Sequence, residues 1–210
     1  MKKLLKRIVV LLLVIVFVCF TVLTGRGYLM YRDALQQQGL SDRVAEIQSN
    51  PNYTPISDLP EMYLDAVVAV EDHRFTQHFG IDLISIGLAT WNNLTSWSLQ
   101  EGGSTITQQL AKNLYFTQEK SFIRKIAEMF MAFNLERAYE KGEILELYVN
   151  SIYFGNGYYC VRNASLGYFG KEPISMSDYE CTLLAGIPNA PSVYSVSYTH
   201  LRAHETRGNL

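Results

Sequence analysis

Two groups of residues in the middle of this chain have types and spacing that suit chemistry. The first is Glu71 with Asp72, at the end of an apolar helical pattern, and the second is a run of cations from Lys112 to Lys125 followed by Glu128. A carboxylate at a helix C-terminus meets the negative end of the macrodipole, so it costs free energy unless it has a role or a partner. Arg74 stands three residues further on, and on spacing alone an ion pair accounts for Glu71 as well as general-base chemistry does. From Lys112 to Lys125 four basic residues, Lys112, Lys120, Arg124 and Lys125, accompany one acidic residue, Glu119. Such a balance suits a pyrophosphate, because charge-assisted hydrogen bonds to phosphate oxygens are the strong ones. The alternative is a solvated helix face on which Arg124 and Glu128 form an i,i+4 surface pair, worth about 0.3–0.5 kcal/mol.

Between these groups lies GGSTITQQLAKN, residues 102–113. Its glycines let backbone approach a ligand, while Gln108, Gln109, Lys112 and Asn113 set donors along the first turns of a helix, close behind Ser104. Thr105 with Gln108 fits the capping box that starts such a helix, and an ordinary capped helix with solvated polar residues is the plain alternative. A transfer that displaces a phosphate group needs a base for the attacking hydroxyl and cationic or metal-assisted stabilisation of the departing charge. Both kinds of residue are present.

Positioning them requires a fold. Pro60 in the first turn of a helix capped by Ser57 or Asp58 predicts the element that delivers Glu71 and Asp72 at its far end, with Ala66, Val67 and Val70 facing a core. Leu83 to Leu99 is free of charge and carries Trp91 and Trp97, which reads as core or as a membrane-facing flap. Ser121 to Lys141 holds neither Gly nor Pro, and Phe122, Ile126, Phe130 and Phe133 recur at helical spacing, so one long amphipathic helix is expected there, broken at Gly142. A shorter helix follows from Glu143 to Val149, and Ser177 with Glu180 makes a second capping box. No strand pair is evident. His78, a single histidine between aromatics, is expected to be a hydrogen-bonded structural residue.

At the N-terminus Lys2, Lys3, Lys6 and Arg7 precede an uncharged stretch from Ile8 to Gly25, the length of one membrane-spanning helix. A cleaved signal peptide is the rival, but Val22-Leu23-Thr24-Gly25 offers no clean small-x-small site. The basic cluster places residues 1–7 in the cytoplasm, 8–25 in the membrane, and everything from Arg26 outside. Residues 26–52 read as a polar stalk and 53–196 as one domain. Residues 197–210 read as an atypical, disordered or truncated tail. A formal net charge of -2 argues against nucleic acid as a partner. Cys160 and Cys181 read as two buried small side chains, although the compartment permits a disulfide, and no metal-ligand spacing of cysteines is present.

The order and spacing of EDHRFTQHFGID, GGSTITQQLAKN, RKIAE and KGEILELYVN resemble the peptidoglycan glycosyltransferases, over roughly residues 53–195. Eight consecutive residues, GGSTITQQ, match the family's second motif. The resemblance implies a mainly α, single lysozyme-like helical domain behind one transmembrane helix, either as a monofunctional enzyme or as the N-terminal part of a bifunctional penicillin-binding protein. It implies polymerisation of lipid II by inverting glycosyl transfer with release of polyprenyl pyrophosphate, with the growing glycan strand, the membrane and other wall-synthesis proteins as partners. Glu71, on the first motif, is then the catalytic base. Arg124, Lys125 and Lys112 hold the pyrophosphate with Glu128, directly or through Mg²⁺ or Mn²⁺. Arg74, Ser104, Gln108, Gln109, Asn113 and Lys120 complete the substrate-binding set, with Lys120 standing where many members have Arg. Lys141, Tyr148, Asn150 and Lys171 are expected to support it from behind. A lysozyme-like wall hydrolase and an inactive lipid II-binding scaffold are the alternatives, the first disfavoured by the cationic cluster.

Overall fold

The computed structural model describes residues 2–96, 102–117 and 121–189. Among them the chain is helical, in the order α1 (Lys2–Gln37), α2 (Leu40–Gln48), α3 (Glu61–Glu71), α4 (Leu83–Ser96), α5 (Ile106–Tyr115), α6 (Phe122–Ala138), α7 (Lys141–Val149), α8 (Val161–Phe169) and α9 (Asp178–Gly186). One isolated bridge between Tyr153 and Tyr159 is the sole β pairing among the described residues. This is the single mainly α domain that the sequence implies. Trp97, Lys120 and the tail 197–210 lie outside the described residues.

α5 forms the centre of the domain. It packs between α6 and α7, while α3 packs on α9. Its buried positions Ile106, Leu110, Ala111 and Leu114 fall at helical spacing and meet Met131 and Leu135 of α6 and Ile144, Leu147 and Tyr148 of α7 in one continuous core. Each such side chain contributes about 1.5–3 kcal/mol when fully removed from water. The α5 helix starts where the sequence places it: Thr105 Oγ1 accepts from Gln108 N, and Gln108 Oε1 accepts from Thr105 N, both at 3.1 Å. Ser177 and Glu180 close the matching box at the start of α9.

Three local expectations change. α3 begins at Glu61 behind Pro60 with no side-chain cap, and Ser57 and Asp58 instead lie in a separate 3₁₀ turn. Within α3, Val67 is buried, whereas Val70 is 46% exposed and faces a cleft. The long helix ends at Ala138, before Gly142, because Glu140 and Glu143 form a capping box that starts α7 afresh.

The third change concerns which face of α6 is buried. Its core stripe is Ala127, Met131 and Leu135, not the phenylalanines, and the alanines Ala127 and Ala132 leave room for α5 to approach. Phe122 is 84% exposed. Ile126 and Phe130 meet α1 instead: Phe130 packs edge-on against Tyr28 and tilted against Tyr31. The anchor and the first part of the expected stalk are therefore one continuous helix, of which the outer part lies along α6. Its inner part is long and apolar enough to cross a membrane, with a mean hydropathy of 3.1 in a window that no protein covers. Cys160 and Cys181 are free and buried.

The α1–α6 contact depends on Gly27, the one buried residue of α1, where an added Cβ would sit 2.5 Å from Ile126 Cγ2. Gly25, half a turn away, has nothing within 4 Å of the same position. Gly27→Ala is therefore expected to destabilise the folded chain by about 1–3 kcal/mol through overpacking, while Gly25→Ala is neutral or slightly stabilising. Thermal unfolding of the two variants in the same detergent checks this, and equal midpoints would mean that α1 does not dock on α6.

Candidate active site

The last residue of α3 is Glu71, and the helix stops there because Asp72 leaves helical conformation at φ -161 ψ 72. The side chain of Asp72 turns inward and is buried. Its Oδ2 accepts from Ile106 N, the first amide of α5, at 3.0 Å, and from His78 Nε2 at 2.9 Å. One carboxylate thus satisfies an amide that a helix start leaves without a partner and joins the first sequence motif to the second. His78 has the structural role expected of it.

The loop between Asp72 and α4 is fixed by a second carboxylate. Asp82 accepts from Ile84 N, Ser85 N, Ser85 Oγ and Arg74 Nε, at 2.6–3.1 Å. Burial pushes its pKa up, but the hydrogen bonds from Ser85 and Ile84 and the Arg74 charge outweigh this and hold it at about 2. Arg74 therefore does not pair with Glu71; it braces the loop through Asp82. Asp82 was not among the expected site residues, although an acidic residue just before an apolar helical run is a start signal that could have found it. At the loop's tip, Gly80 adopts φ +80 and its carbonyl accepts from Thr105 Oγ1 at 2.7 Å. A side chain there would be strained by that φ and crowded by the backbone of Ala132.

With Asp72 anchored, Glu71 stands at the wall of a cleft of about 450 Å³ lined by residues that include Ser85, Leu88 and Asn92 of α4, residues 102–105 and Asn189. Gln109 Nε2 donates to Glu71 Oε2 at 2.8 Å, and Tyr148 OH donates to Gln109 Oε1 at 3.2 Å. Glu71 Oε1 is buried and has no hydrogen-bond partner among the described residues. Burial raises the Glu71 pKa above its ordinary value; the Gln109 hydrogen bond, the nearby Tyr148 hydroxyl and the Lys112 charge oppose the rise, and Asp72 adds to it.

Beside this carboxylate the cations converge on Glu128, which is 2% exposed. Arg124 Nε lies 2.8 Å from its Oε1 and Lys125 Nζ 3.1 Å from its Oε2. A second Arg124 nitrogen donates to Thr117 O at 3.0 Å, and Lys125 Nζ donates to Ser104 Oγ at 2.6 Å. Ser104 also lines the cleft, so it links the cleft to the cluster. Half-buried Lys112 carries the link further. Burial lowers its pKa, and it feels the charges of Glu128, Arg124, Lys125 and Glu71 together. The Arg124–Glu128 pair is therefore no solvated surface pair.

Other candidates fall elsewhere. Gln108 is 1% exposed and its amide oxygen closes the capping box, so it builds the helix start and does not face the cleft. Asn113 lies on the exposed face of α5. Lys141 pairs with Glu136 at 2.7 Å and sits over the Phe75 ring, Asn150 ties Thr54 to α7, and Lys171 pairs with Glu180, so these three hold the frame. Of the supporting residues, only Tyr148 reaches the Glu71 network. A divalent ion at Glu128 would find one carboxylate already shared between two cations. Among the described residues no group of three His, Cys, Asp or Glu gathers to hold a metal, so these donors alone do not make a metal site.

Residues 39–210 match the family model described as Transglycosylase. Over 155 residues the chain is 46% identical to penicillin-binding protein 1F of Bacillus subtilis, a match covering 73% of this chain and 22% of that protein. It is 45% identical over 155 residues to penicillin-binding protein 1A of Aquifex aeolicus, covering 74% and 21%. A putative transglycosylase of Cupriavidus necator is 43% identical over 151 residues, covering 72% and 65%. The chain thus spans about a fifth of the length of the two penicillin-binding proteins and just under two thirds of the third. A match over most of its length, carried by motifs that the fold gathers around one cleft, shows that the chain belongs to the transglycosylase family, the peptidoglycan glycosyltransferases.

Proposed function

We propose that the chain polymerises lipid II into glycan strands by inverting glycosyl transfer, with Glu71 as the general base. The observation that carries this reading is the Glu71 carboxylate itself. One oxygen is held by Gln109, the other is buried beside the cleft without a partner, and its pKa is raised toward the range in which a base works at neutral pH. Glu71 Oε1 takes the proton of the acceptor sugar's 4-hydroxyl as that oxygen attacks the anomeric carbon of the donor. The bond from that carbon to the pyrophosphate oxygen breaks, and polyprenyl pyrophosphate leaves with its charge. Lys112, Arg124 and Lys125 stand where that charge develops, and Glu128 keeps the two α6 cations in place before substrate arrives. A wall hydrolase would have little use for these cations.

The membrane reading belongs with this. With α1 spanning the bilayer and its basic end in the cytoplasm, the domain lies outside the cell and next to a lipid-linked substrate. α4 turns Leu83, Ile84, Leu88, Trp91 and Leu94 outward, each more than half exposed, on the helix that forms one wall of the cleft. This apolar, charge-free surface suits the bilayer interface, where tryptophan is favoured.

Four outcomes are expected. Glu71→Gln keeps the shape and removes the base, so it should fold and still bind lipid II while losing polymerisation by about 10²–10⁴-fold. In the wild-type chain, activity should fall as pH drops through the raised Glu71 pKa, since protonation removes the base, and this acid limb should lie above the ordinary carboxylate range. Incubation with lipid II, with polymer, released fragments and bound substrate measured separately, checks both points; near-normal polymer from folded Glu71→Gln would end the assignment. Arg124→Ala and Lys112→Ala should each lower turnover of lipid II by at least about tenfold, the loss of a charge-assisted phosphate contact, and normal turnover in both would remove the cluster from the site. Finally, a chain starting at Arg26 should still bind liposomes, and Leu88→Ser with Trp91→Ser should weaken that binding by about tenfold or more. Unchanged partitioning would assign α4 no membrane role.

A further inference from the structure

A carboxylate that accepts a proton must offer the accepting oxygen to substrate and keep the other occupied, and Glu71 gains this asymmetry from behind. Being ionised, it can only accept, so Gln109 must turn its NH₂ toward Oε2 at 2.8 Å. That orientation aims the Gln109 carbonyl oxygen into the core, where an acceptor without a donor would be costly. Tyr148, fully buried on α7, supplies the donor at 3.2 Å. Its hydroxyl is the one group among the described residues bonded to that oxygen, and burial raises its pKa well above the ordinary tyrosine value, so the proton stays on it. An amide freed from Tyr148 could flip and present oxygen to the Glu71 carboxylate, repelling it.

We propose that Tyr148 is a positioning residue for Glu71, acting through the Gln109 amide, so that Oε2 stays occupied and Oε1 is the oxygen left for the acceptor sugar. This rests on Glu71 being the base. Gln109, expected as a substrate contact, also holds the protein side of the carboxylate.

The groups facing Glu71 are Asp72 and Tyr63 of the α3 end and face, Lys112 and Gln109 of α5, and Tyr148 of α7. Asp72 raises its pKa and Lys112 lowers it, and neither is altered by removing the Tyr148 hydroxyl. Loss of the Tyr148–Gln109 link should therefore move the Glu71 titration upward, since hydrogen bonds to the ionised form are what it removes.

The test uses the full chain in detergent with lipid II. Tyr148→Phe is expected to lower kcat at neutral pH by about tenfold, leave KM unchanged, and shift the acid limb of kcat to higher pH, so that the deficit narrows as pH rises. Gln109→Met, which keeps the length and removes the donor, should shift the limb the same way. A ¹³C carboxylate titration of Glu-labelled protein, with the Glu71 signal identified by its loss in Glu71→Gln, should show the same upward movement in both variants without any turnover. An unmoved Glu71 titration in a folded Tyr148→Phe or Gln109→Met chain overturns the proposal. So does a loss that is uniform across pH, or a rise in KM alone, since either marks packing or substrate contact. If Glu71→Gln still polymerises, the assignment of the base fails, and the positioning by Tyr148 is then decided by the titration alone.

Discussion

Everything in the cleft depends on where the Asp72 carboxylate goes. A helix ending in two adjacent acidic residues would splay both into water to escape each other and the macrodipole. Here the second is drawn inward by two donors, Ile106 N and His78 Nε2, and the chain must leave helical geometry to allow it. Glu71 is then fixed on the opposite side, facing Gln109. Because one of the donors is the first amide of α5, the register of α5 against α3 is set in the same step, and with it the position of Gln109 and Lys112. Gly80 completes the joint, since its carbonyl binds Thr105 and its positive φ closes the loop over α6. The loop that carries the base and the helix that carries its partners cannot be moved independently.

The two glutamates of the site are alike in sequence and opposite in electrostatics. Glu71 is buried with one neutral donor and one oxygen that has no partner among the described residues, which favours the protonated form and is what the proposed base requires. Glu128 is buried with a cation beside each oxygen. Burial of so many ions would be costly without excellent geometry. Arg124 and Lys125 are each tied twice, to Glu128 and to Thr117 O or Ser104 Oγ, so the two cations are ordered within the fold. Lys112 has no such clamp among the described residues and senses both glutamates.

The sequence made legible what local chemistry decides. The capping boxes at Thr105 and Ser177, the end of α3 at Glu71 and the all-helical class follow from short-range hydrogen bonding and periodicity, and each is found in the structure. The buried face of α6 is hidden from periodicity because periodicity weighs large apolar side chains, and Phe122 meets solvent, Phe130 meets α1 and Phe133 stacks on Phe79, while the core takes Ala127, Met131 and Leu135. Gln108 and Gln109 are adjacent and chemically identical. Only the 100° turn between them decides that one closes a cap and the other reaches Glu71, and no composition could tell them apart. The alternative pairing of Arg74 with Glu71 is not found for a related reason: its partner Asp82 is eight residues away across a loop whose shape is set by Gly80. Tyr148 was visible as a supporting residue, but its target lies 39 positions earlier in sequence, on another helix.

α6 carries two functions on two faces. Ile126 and Phe130 receive α1, while Lys125, in the same two turns, reaches Ser104 at the cleft wall and meets Arg124 at Glu128. Gly27, the point of closest approach, lies only two residues, roughly 3 Å of helix rise, beyond the end of the uncharged stretch. With α1 in the bilayer, the cations that would receive a lipid pyrophosphate are therefore held at a fixed, short distance from the surface through which that lipid's tail must pass. A flexible stalk would leave this height to chance and cost entropy on each encounter with substrate. A docked helix removes that freedom during folding. On the proposed reading, the continuity of α1 into residues 26–37, which their polar composition concealed, would serve catalysis as well as anchoring: the same close contact that requires glycine at position 27 would set where the pyrophosphate is bound.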